Sequence, residues 1–560
     1  MAKVYDDFLR QRLSRRRLLG SAAGAAAGAA GLALVGCTSD DDEPSDGVTP
    51  GAEGTPIPGG IYKTRQDLAL GNFSPFGLGL TALPQGLFVG FAIYDHLWYV
   101  PTDTGEVVPF LAEEIEPFED GGQTVRVKMK QAFFHDKPPV NGRQVKSSDV
   151  HASVERFKED PAIGFSWLRE VYDNIETPDD LTVVYHQKKP WAWFFTSSNA
   201  GSPISSSIVP EEVLDNDEVL RNSPIGSGRW TLEGHTNFTN IKLRKFANWR
   251  EPGLPLLDGA DGVFITEDAQ ALAAFSAQQI DSIGLGGLGG LTSLERDQLQ
   301  SRHGDQIVTS SDLDRAFRCL MLKFEEPFLD DRVRHAISLA INRQEIIDVL
   351  DLGSGELSGP VPPAHQTYAL GPDDADFAEY VRHDPAEAKL LLEAANFPFD
   401  QQIDLQHSNF GTAPQLAQIL GQQLQAVGLN VNVPPAEDLV TRWLTQTLTQ
   451  GNFKMTSFTH LPYEDPYLPL AFYVGGGATS FMGYQDAEVD DAILASAEEL
   501  DEERRIELTK AAQKLIISKW SPMLNLYSPI AYGARWAYVK GLIEGRGSFG
   551  LFNSGAWLDK

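Results

Sequence analysis

Several residue patterns in this chain could support catalysis, but each one lacks a partner that its chemistry requires. Residues 284–289 have the sequence GLGGLG, which fits the spacing of a loop that holds the phosphates of a dinucleotide. Such a loop follows a buried strand and opens a helix. Residues 278–283 are poorly suited to a buried strand, and the glycines disfavour a helix, so we predict a flexible loop. His135-Asp136 suggests acid–base chemistry, although a histidine beside a proline-rich turn is more often structural.

The sequence also lacks the signatures of other common enzyme sites. It contains no G-x-x-x-x-G-K-[ST] phosphate loop and no H-E-x-x-H zinc motif, and its 11 histidines are scattered. Zinc sites need closely placed ligands, and nucleophilic catalysis needs a nucleophile, a base and an orienting group together. We predict a protein that is not an enzyme and that binds no metal and no cofactor. A secreted hydrolase stays open as the less favoured alternative.

Cys37 has the clearest chemical signal in the chain. The sequence LVGC at 34–37 ends a weakly apolar, Ala- and Gly-rich run that follows the paired Arg15 and Arg16. Paired arginines, an apolar run and a small residue before a cysteine are typical of an export signal. They resemble the twin-arginine signal and lipobox of prokaryotic lipoproteins, which implies a lipid on Cys37. An uncleaved membrane anchor, a disordered leader and the general secretion route stay open as alternatives.

We therefore expect a protein that works outside the cytoplasm, on the outer face of the cell membrane or in the periplasm. Residues 1–36 would be the signal peptide. Residues 37–58 would be the lipidated cysteine and a disordered tether, because this stretch has almost no large apolar side chain. Cys319 then has no cysteine partner, so the fold must depend on hydrophobic cores. The net charge of −31 argues against nucleic acid as a partner, since phosphate binding needs basic patches.

Hydrophobic patterning predicts strands in the first half of the chain. Apolar residues alternate with charged ones at 125–130 and again at 241–244. A short, β-branched apolar run occupies 181–185. Strict alternation gives one buried face and one solvated face, which favours half-buried strands.

The second half of the sequence favours helices and contains one clear supersecondary unit. One amphipathic helix is predicted over 331–350. Another begins after Asp384, where Pro385 and Glu387 complete an Asp version of the capping box. Residues 403–433 have the pattern strand, helix, strand, which predicts parallel strands with ligands bound beyond their carboxyl ends.

Five segments, in this order along the chain, are similar to motifs of one family. They are PFLAE at 109–113, FHDKPPVNGR at 134–143 followed by SDV at 148–150, PIGSGRW at 224–230, DRVRHAISLAINR at 331–343 and the Asp-Pro pair at 465–466. Together they resemble the extracytoplasmic solute-binding proteins of the peptide/nickel/oligosaccharide class, family 5, which serve ABC importers. The similarity extends over about 60–560.

The resemblance implies an α/β, periplasmic-binding-protein-like fold of type II, with two lobes and a ligand cleft between them. Lobe 1 would take 59–305, with an extra subdomain at about 101–217, lobe 2 would take 306–524, and 525–560 would return to lobe 1. The implied function is capture of a peptide-like or oligosaccharide-like solute by a lipid-anchored monomer that delivers it to ABC permease subunits. A surface lipoprotein that senses ligand or acts as a scaffold without transport stays open.

The resemblance also suggests where the ligand would bind. The resemblance implies that peptide-binding members have a pattern like A-D-Y-x-x-P at the positions that correspond to residues 461–466. The Asp of that pattern holds the amino group of the peptide. This chain has Pro462 there, so a free amine lacks its counter-ion unless Glu464 or Asp465 substitutes. The predicted ligand residues are Phe458, Thr459, His460, Tyr463 and Asp465 together with Trp443 in lobe 2, and Asn72 and Phe73 in lobe 1. Core packing stays the alternative for the aromatic ones and for the WAWFF cluster at 191–195.

Overall fold

The computed structural model describes most of the chain after the predicted tether. The described residues are 55–66, 72–76, 90, 92–100, 107–116, 120–159, 166–196, 206–236, 240–284, 290–460, 462–463, 465–477, 479–542 and 555–560. Arg15, Arg16 and Cys37, on which the predicted export signal and lipidation depend, lie outside them, as do residues 285–289 of the glycine-rich segment. Within the described ranges, no helix is both long enough and apolar enough to cross a membrane.

The described strands confirm the three that were predicted in the first half, which correspond to β5, β7 and β9. The strands are β1 Ile61–Gln66, β2 Trp98–Tyr99, β3 Val108–Pro109, β4 Ala112–Glu116, β5 Thr124–Met129, β6 Tyr172–Asp179, β7 Thr182–Gln187, β8 Trp230–Thr236, β9 Asn240–Lys245, β10 Gly259–Phe264, β11 Ser282–Ile283, β12 Ile307–Leu313, β13 Arg318–Leu322, β14 Gly355–Leu357, β15 Ile403–Gln406, β16 Val431–Asn432, β17 Met455–Thr459, β18 Met523–Trp536, β19 Val539–Lys540 and β20 Trp557–Leu558.

The helices lie mostly in the second half of the chain, as the patterning predicted. The α-helices are α1 Ser147–Glu159, α2 Ser166–Val171, α3 Asp217–Asn222, α4 Asp268–Ser276, α5 Ser293–His303, α6 Asp331–Ala340, α7 Arg343–Leu350, α8 Ala375–Tyr380, α9 Pro385–Ala394, α10 Ala413–Ala426, α11 Tyr467–Ala471, α12 Ala487–Glu498 and α13 Glu502–Ser518. Short 3₁₀ turns occupy Glu211–Val213, Gly304–Gln306 and Pro363–Tyr368, and a π-helix occupies Leu439–Leu448.

One 12-stranded sheet runs through the molecule in the order β16-β15-β17-β13-β18-β11-β1-β10-β9-β8, with β12 and β14 also paired to β18. Strand β18 joins its two halves, because its first part pairs with β13 and its last part pairs with β11 and β12. We call the half that contains β1 and β8–β12 lobe 1, and the half that contains β13–β17 lobe 2. A separate four-stranded sheet, β4-β5-β7-β6, packs into the core of lobe 1.

Each lobe has its own hydrophobic core. One cluster of buried side chains fills lobe 1 and the small sheet, including Tyr62, Trp98 and Phe275. Two clusters fill lobe 2, one against α6 to α10 and one around β17, α11 and α12. The chain passes between the lobes at 314–317, between β12 and β13, and at 527–530, within β18. The lobe and subdomain boundaries given by the sequence stay predictions.

The single helix predicted over 331–350 is wrong, because the chain forms α6 and α7 with a break between them. Ile341 has an extended backbone, with φ −88° and ψ 117°. The side-chain oxygen of Asn342 accepts a hydrogen bond from the Glu345 N–H at 3.1 Å and so caps α7. An asparagine at the N-cap satisfies a free N–H at the start of a helix. The continuous apolar pattern over 331–350 is therefore compatible with two short helices as well as with one long helix.

The helix predicted after Asp384 is confirmed as α9, although only half of its predicted capping box forms. Asp384 Oδ1 accepts from the Glu387 N–H at 2.9 Å, and Pro385 is the first helical residue. The reciprocal bond is absent, because the Asp384 N–H donates to the Leu339 carbonyl at 2.9 Å. The Glu387 carboxylate instead accepts from Arg382 Nη1 at 2.8 Å.

The predicted strand–helix–strand unit at 403–433 is confirmed. Strands β15 and β16 are parallel, with Ile403 opposite Val431. Between them α10 buries Leu416, Leu420 and Leu424 against the sheet. Gly428 ends the unit's helix with φ +102°, a backbone conformation that a side chain would strain. This unit places the carboxyl ends of two parallel strands on one edge of lobe 2.

A candidate ligand cleft between the lobes

Carboxyl ends of parallel strands form the edge of lobe 2 that faces lobe 1. Strand β15 pairs in parallel with both β16 and β17. Strand β18 runs in the direction of β17, because both pair antiparallel with β13, and it leaves this edge at Tyr527 to enter lobe 1. His407, which follows β15, and His460, which follows β17, therefore lie on the edge that faces lobe 1.

The facing edge of lobe 1 has the same construction. Strand β1 is parallel to β10 and β11, and β11 is antiparallel to β18. These three strands consequently run toward lobe 2 and end at Gln66, Phe264 and Ile283. Ligands of open α/β sheets bind beyond the carboxyl ends of the strands. The space between the two edges, beside the crossings at 314–317 and 527–530, is the candidate ligand cleft.

Three residues of the predicted ligand segment present some surface at this edge. Thr459 is the last residue of β17, lies opposite Arg318 on β13, and is exposed. Pro462 is exposed, and Tyr463 is half-buried beside the second core of lobe 2. Burial raises the pKa of the Tyr463 hydroxyl, so it is neutral at physiological pH and can donate or accept a hydrogen bond.

His460 lies in an aromatic box at the end of β17. Its ring stacks on Phe317, with centroids 4.1 Å apart, and meets Phe458 and Phe472 edge-on at 4.4 and 4.3 Å. The residue is 0% exposed. Burial holds the pKa of His460 well below its usual range, so the imidazole is neutral.

The two ring nitrogens of His460 differ from its backbone N–H in their hydrogen bonding. Neither ring nitrogen has a hydrogen-bond partner in the described part of the chain. Leaving a buried polar group unpaired costs about 1–3 kcal/mol. The His460 backbone N–H is paired, since it donates to the Phe317 carbonyl at 2.8 Å and fixes the segment to the start of β13.

Asp465 is fully committed to internal contacts. Its Oδ1 accepts from the N–H groups of Tyr467 at 3.1 Å and Leu468 at 3.0 Å, and so holds the first turn of α11. Its Oδ2 accepts from the Thr196 hydroxyl at 2.8 Å. The residue is 0% exposed. It therefore positions the segment rather than offering a charge to a ligand amine.

Trp443 and Phe458 lie inside the core of lobe 2. Trp443 is 2% exposed, and its Nε1–H donates to the Thr456 hydroxyl at 3.1 Å. Its ring lies 5.3 Å from that of Phe458, which is 6% exposed. A stacking platform for a sugar needs a free ring face, so these contacts support the packing alternative for both residues.

The two candidates of lobe 1 differ in exposure. Asn72 is half-buried, and its side-chain oxygen accepts from the Ser74 N–H at 2.9 Å in a local turn. Phe73 is 3% exposed and packs edge-on against His235 at 5.1 Å. Asn72 is thus partly accessible, while Phe73 belongs to the core.

Ionic and phenolic groups meet where β18 leaves lobe 2. The Arg318 guanidinium, the Asp351 carboxylate and the Tyr527 hydroxyl contact one another there. Burial raises the pKa of Asp351, although Arg318 opposes this shift. These contacts connect the start of β13 and the residue after α7 to β18, and so they hold the lobe 2 side of the crossing at 527–530 in position.

His135 is structural, which is the alternative that the sequence favoured over acid–base chemistry. Its Nε2–H donates to the Gly228 carbonyl at 3.0 Å, and its Nδ1 accepts from the Gly226 N–H at 3.4 Å. Burial lowers the pKa of His135 to about 3. Within the ranges that the structure describes, no group of three or more His, Cys, Asp or Glu residues could hold a metal ion.

Thr196 is a residue beside the 460–466 segment that the sequence did not single out, whereas Trp191 and Trp193 belong to the WAWFF cluster and lie in the core of lobe 2, as the packing alternative has it. They lie in the segment after β7, far from 460–466 in sequence, yet Thr196 bonds Asp465 directly. Residues 192–195 form turns rather than a strand, so the alternation of Trp191 and Trp193 around Ala192 gives no reliable signal of where their side chains point.

Two lobes joined by β18, with strand ends facing across the crossings, define a two-lobed binding protein. Solved structures show the same fold. The periplasmic binding protein AgaA from A. tumefaciens R10 superposes with a TM-score of 0.76 at 22% identity, covering 90% of this chain and 99% of that one. DppA from Helicobacter pylori, in complex with the peptide STSA, gives a TM-score of 0.76 at 21% identity with the same coverage.

Sequence comparison identifies the family. The model for bacterial extracellular solute-binding proteins, family 5 Middle, matches residues 106–480. The chain belongs to this family and is a solute-binding protein rather than an enzyme. Among curated relatives, the glutathione-binding protein GsiB of Salmonella typhi is 25% identical over 437 residues, covering 72% of this chain and 78% of that protein. The family resemblance and the two-lobed α/β fold predicted from the sequence are confirmed.

Proposed function

We propose that this protein is the lipid-anchored, substrate-binding component of an ABC importer. It captures a peptide-like or oligosaccharide-like solute between its lobes outside the cytoplasm and delivers the solute to a permease. The observation on which this rests most directly is the match to the solute-binding family over residues 106–480. The facing carboxyl-end edges of the two lobes supply the place for the solute.

Thr459 and Tyr463 in lobe 2 and Asn72 in lobe 1 are the proposed ligand contacts. Thr459 is exposed, and Tyr463 and Asn72 are each half-buried. They offer two hydroxyls and an amide, which are neutral groups that can donate and accept hydrogen bonds. Such a set suits peptide groups and sugar hydroxyls alike, which is why both solute classes stay within the proposal.

The 460–466 segment argues against an ordinary peptide held by its terminal amine. Pro462 is exposed and has no charge. Both oxygens of Asp465 are occupied by Thr196, Tyr467 and Leu468. A desolvated ammonium without a counter-ion is strongly unfavourable. We therefore propose a solute whose α-amine is blocked, linked differently or absent. Glu464 lies outside the described residues and stays the possible substitute.

A thermal-shift panel tests this function and the solute class together. The full-length protein is heated with glutathione, trialanine, N-acetyl-trialanine or maltotriose, each over a range of concentrations. A ligand at about 100 times its Kd adds roughly 2.7 kcal/mol of stability. We expect a shift with at least one compound and no advantage of trialanine over its acetylated form. Strong preference for the free amine would contradict the proposed solute class, and no shift across wider peptide and sugar panels would contradict capture.

The lipid anchor has a separate test in Cys37→Ala. The Cys37 thiol is the lipid attachment point that the lipobox-like sequence predicts, so we expect the variant to leave the membrane fraction while it keeps its thermal stability. Ser45→Ala, a change in the predicted tether, is the control and should stay with the membrane. Retention of the Cys37→Ala protein would contradict lipidation.

A further inference from the structure

The segment 189–196, which follows β7, contacts both lobes, and we call it the bridging segment. Its last aromatic residues belong to lobe 1. Phe194 and Phe195 are 0% and 1% exposed, and their rings lie 5.7 and 5.2 Å from Trp98. The Trp98 Nε1–H also donates to the Phe195 carbonyl at 3.2 Å. This end of the bridging segment is therefore fixed in the lobe 1 core.

The two tryptophans of the bridging segment enter the core of lobe 2 instead. Trp191 is 1% exposed and lies edge-on to Tyr467 of α11, with centroids 4.7 Å apart. Trp193 is 3% exposed, lies 5.5 Å from Tyr368, and has the guanidinium of Arg505 5.1 Å from its ring. Adjacent residues thus contribute to the cores of different lobes.

Polar contacts reinforce this attachment along its length. Lys189 Nζ lies 2.5 Å from the Glu498 carboxylate, and the Ala192 N–H donates to the Ala497 carbonyl at 2.8 Å. At the far end the Thr196 hydroxyl donates to Asp465 Oδ2 at 2.8 Å. Asp465 belongs to the same 460–466 segment as the proposed ligand contact Tyr463, so the bridging segment is bonded to the segment that carries this contact.

The lobe 2 partners of the bridging segment lie on α11, α12, α13, the 363–368 turn and Asp465, and none of these is a residue of the two crossings at 314–317 and 527–530. A rotation of the lobes about the crossings would have to withdraw Trp191 and Trp193 from lobe 2 and break the Thr196–Asp465 bond. Buried aromatic side chains contribute strongly to packing. The bridging segment consequently favours the arrangement in which the lobes are together, whether or not a solute is present.

We propose that the bridging segment is a closure latch that sets the balance between closed and open lobes. Trp191 and Trp193 hold the latch in lobe 2, and the bond between Thr196 and Asp465 connects it to the predicted ligand segment. The apparent affinity for a solute increases with the fraction of the protein that is already in the form that binds it. Because the latch favours the closed form, it raises the apparent affinity for any solute that binds the closed form. This proposal concerns the lobes themselves and does not depend on which solute the protein takes.

The test is a distance measurement between the lobes without any ligand. The full-length protein with Cys37→Ser takes spin labels at Glu267→Cys and Gln415→Cys, which are exposed positions at the start of α4 and α10. Cys319 is buried, so it should stay unlabelled. We expect the labelled protein to show mainly the short distance, and the Trp191→Ala/Trp193→Ala variant to shift most of its population to a longer one.

Thr196→Val is the second variant, because it keeps the side-chain shape and removes the hydroxyl that bonds Asp465 and also contacts the Trp193 carbonyl within the bridging segment. It should give a smaller shift in the same direction. Phe399→Ala, which removes an exposed aromatic ring of lobe 2, is the control and should leave the distances unchanged. Far-UV circular dichroism checks that each variant is folded. The proposal would be overturned if all folded variants gave the same distance distribution between the two labels. It would also be overturned if the labelled protein with an unaltered latch already showed mainly the longer distance.

Discussion

Pro462 is the residue on which the proposed solute chemistry depends most. It is exposed, and under the proposed function it takes the place of the carboxylate that would hold a peptide amine. Pro462→Asp should therefore create a preference for trialanine over N-acetyl-trialanine, because an added charge-assisted hydrogen bond is worth about 1.5–3 kcal/mol. Titration calorimetry with the two peptides measures the ratio of their Kd values. We expect it to rise by roughly tenfold or more in favour of the free amine.

Pro462→Asn is the matched control, since it changes the backbone in the same way and adds no charge. It should leave the ratio of the two Kd values unchanged. If both variants gained the same preference, the effect would come from relief of the proline backbone and not from the carboxylate. If neither gained it, residue 462 would not face the solute.

The candidate ligand residues that the sequence predicts in segment 458–465 differ in exposure in the structure. Thr459 keeps an exposed side chain, whereas Trp443 and Phe458 are buried. The difference arises from partners far along the chain, such as Phe317 and Phe472 around His460. Periodicity within one segment shows which residues share a face, but it cannot show which distant elements cover that face.

At the scale of elements, the break between α6 and α7 depends on Asn342. Its side chain caps α7 by accepting from Glu345, and its own N–H donates to Gln423 of α10 at 3.1 Å. Asn342→Ala should lower the free energy of unfolding by about 1 kcal/mol, since the cap bond is lost. Urea unfolding followed by circular dichroism measures the change.

Asn342→Asp supplies the comparison, because a carboxylate keeps the cap acceptor and favours a helix start. We expect it to be nearly as stable as the natural protein. An alanine variant of unchanged stability would mean that the break is set by tertiary packing alone. An aspartate variant as unstable as the alanine variant would contradict the cap as the source of the loss, because the carboxylate keeps the cap acceptor and both variants keep the backbone bonds to Gln423.

Elements with purely local signals were predictable, and elements that need a distant partner were not. The start of α9 at Asp384 and the parallel pair β15–β16 follow from caps and patterning within a few residues. The break at Ile341-Asn342 was missed because asparagine is tolerated within helices and because one of its bonds comes from α10. The split of the WAWFF cluster between two cores was likewise invisible without the lobes.

For the whole molecule, buried neutral histidines predict weakened stability in acid. Burial lowers the pKa of His96 to about 4 and those of His135 and His365 to about 3. An unfolded histidine takes a proton near pH 6.5. The stability that these groups contribute is therefore fully present above about pH 6.5 and is lost as the pH falls toward about 3–4. Each of these histidines lowers the free energy of unfolding by about 1.4 kcal/mol for each pH unit below about 6.5, down to its pKa in the folded protein.

Urea unfolding at about pH 7.5 and about pH 5.5 checks this expectation, because acid in this range protonates histidine in the unfolded chain. We expect a lower free energy of unfolding at the lower pH. His135→Gln, which removes one titrating group and keeps hydrogen-bonding ability, should show a smaller loss. Equal free energies of unfolding at the two pH values would contradict the burial of neutral imidazoles. If His135→Gln lost as much stability in acid as the unaltered protein, the loss would come from groups other than His135.

The arrangement of the lobes was predictable only through the family resemblance. Composition and patterning indicate an α/β protein, and one supersecondary unit indicates where ligands bind. They do not indicate that β18 joins both lobes or that segment 189–196 reaches the ligand segment, because these pairings connect parts of the chain that are hundreds of residues apart. The latch therefore had to come from the structure.

The central claim is that the two lobes capture a solute and release it unchanged. Calorimetric titration of the best compound from the thermal-shift panel, followed by mass spectrometry of the recovered compound, tests it most directly. We expect saturable binding of one molecule per chain and recovery of the intact solute. Conversion of the compound would contradict the claim by showing an enzyme, and a thermal shift without saturable binding would show that the solute is not captured.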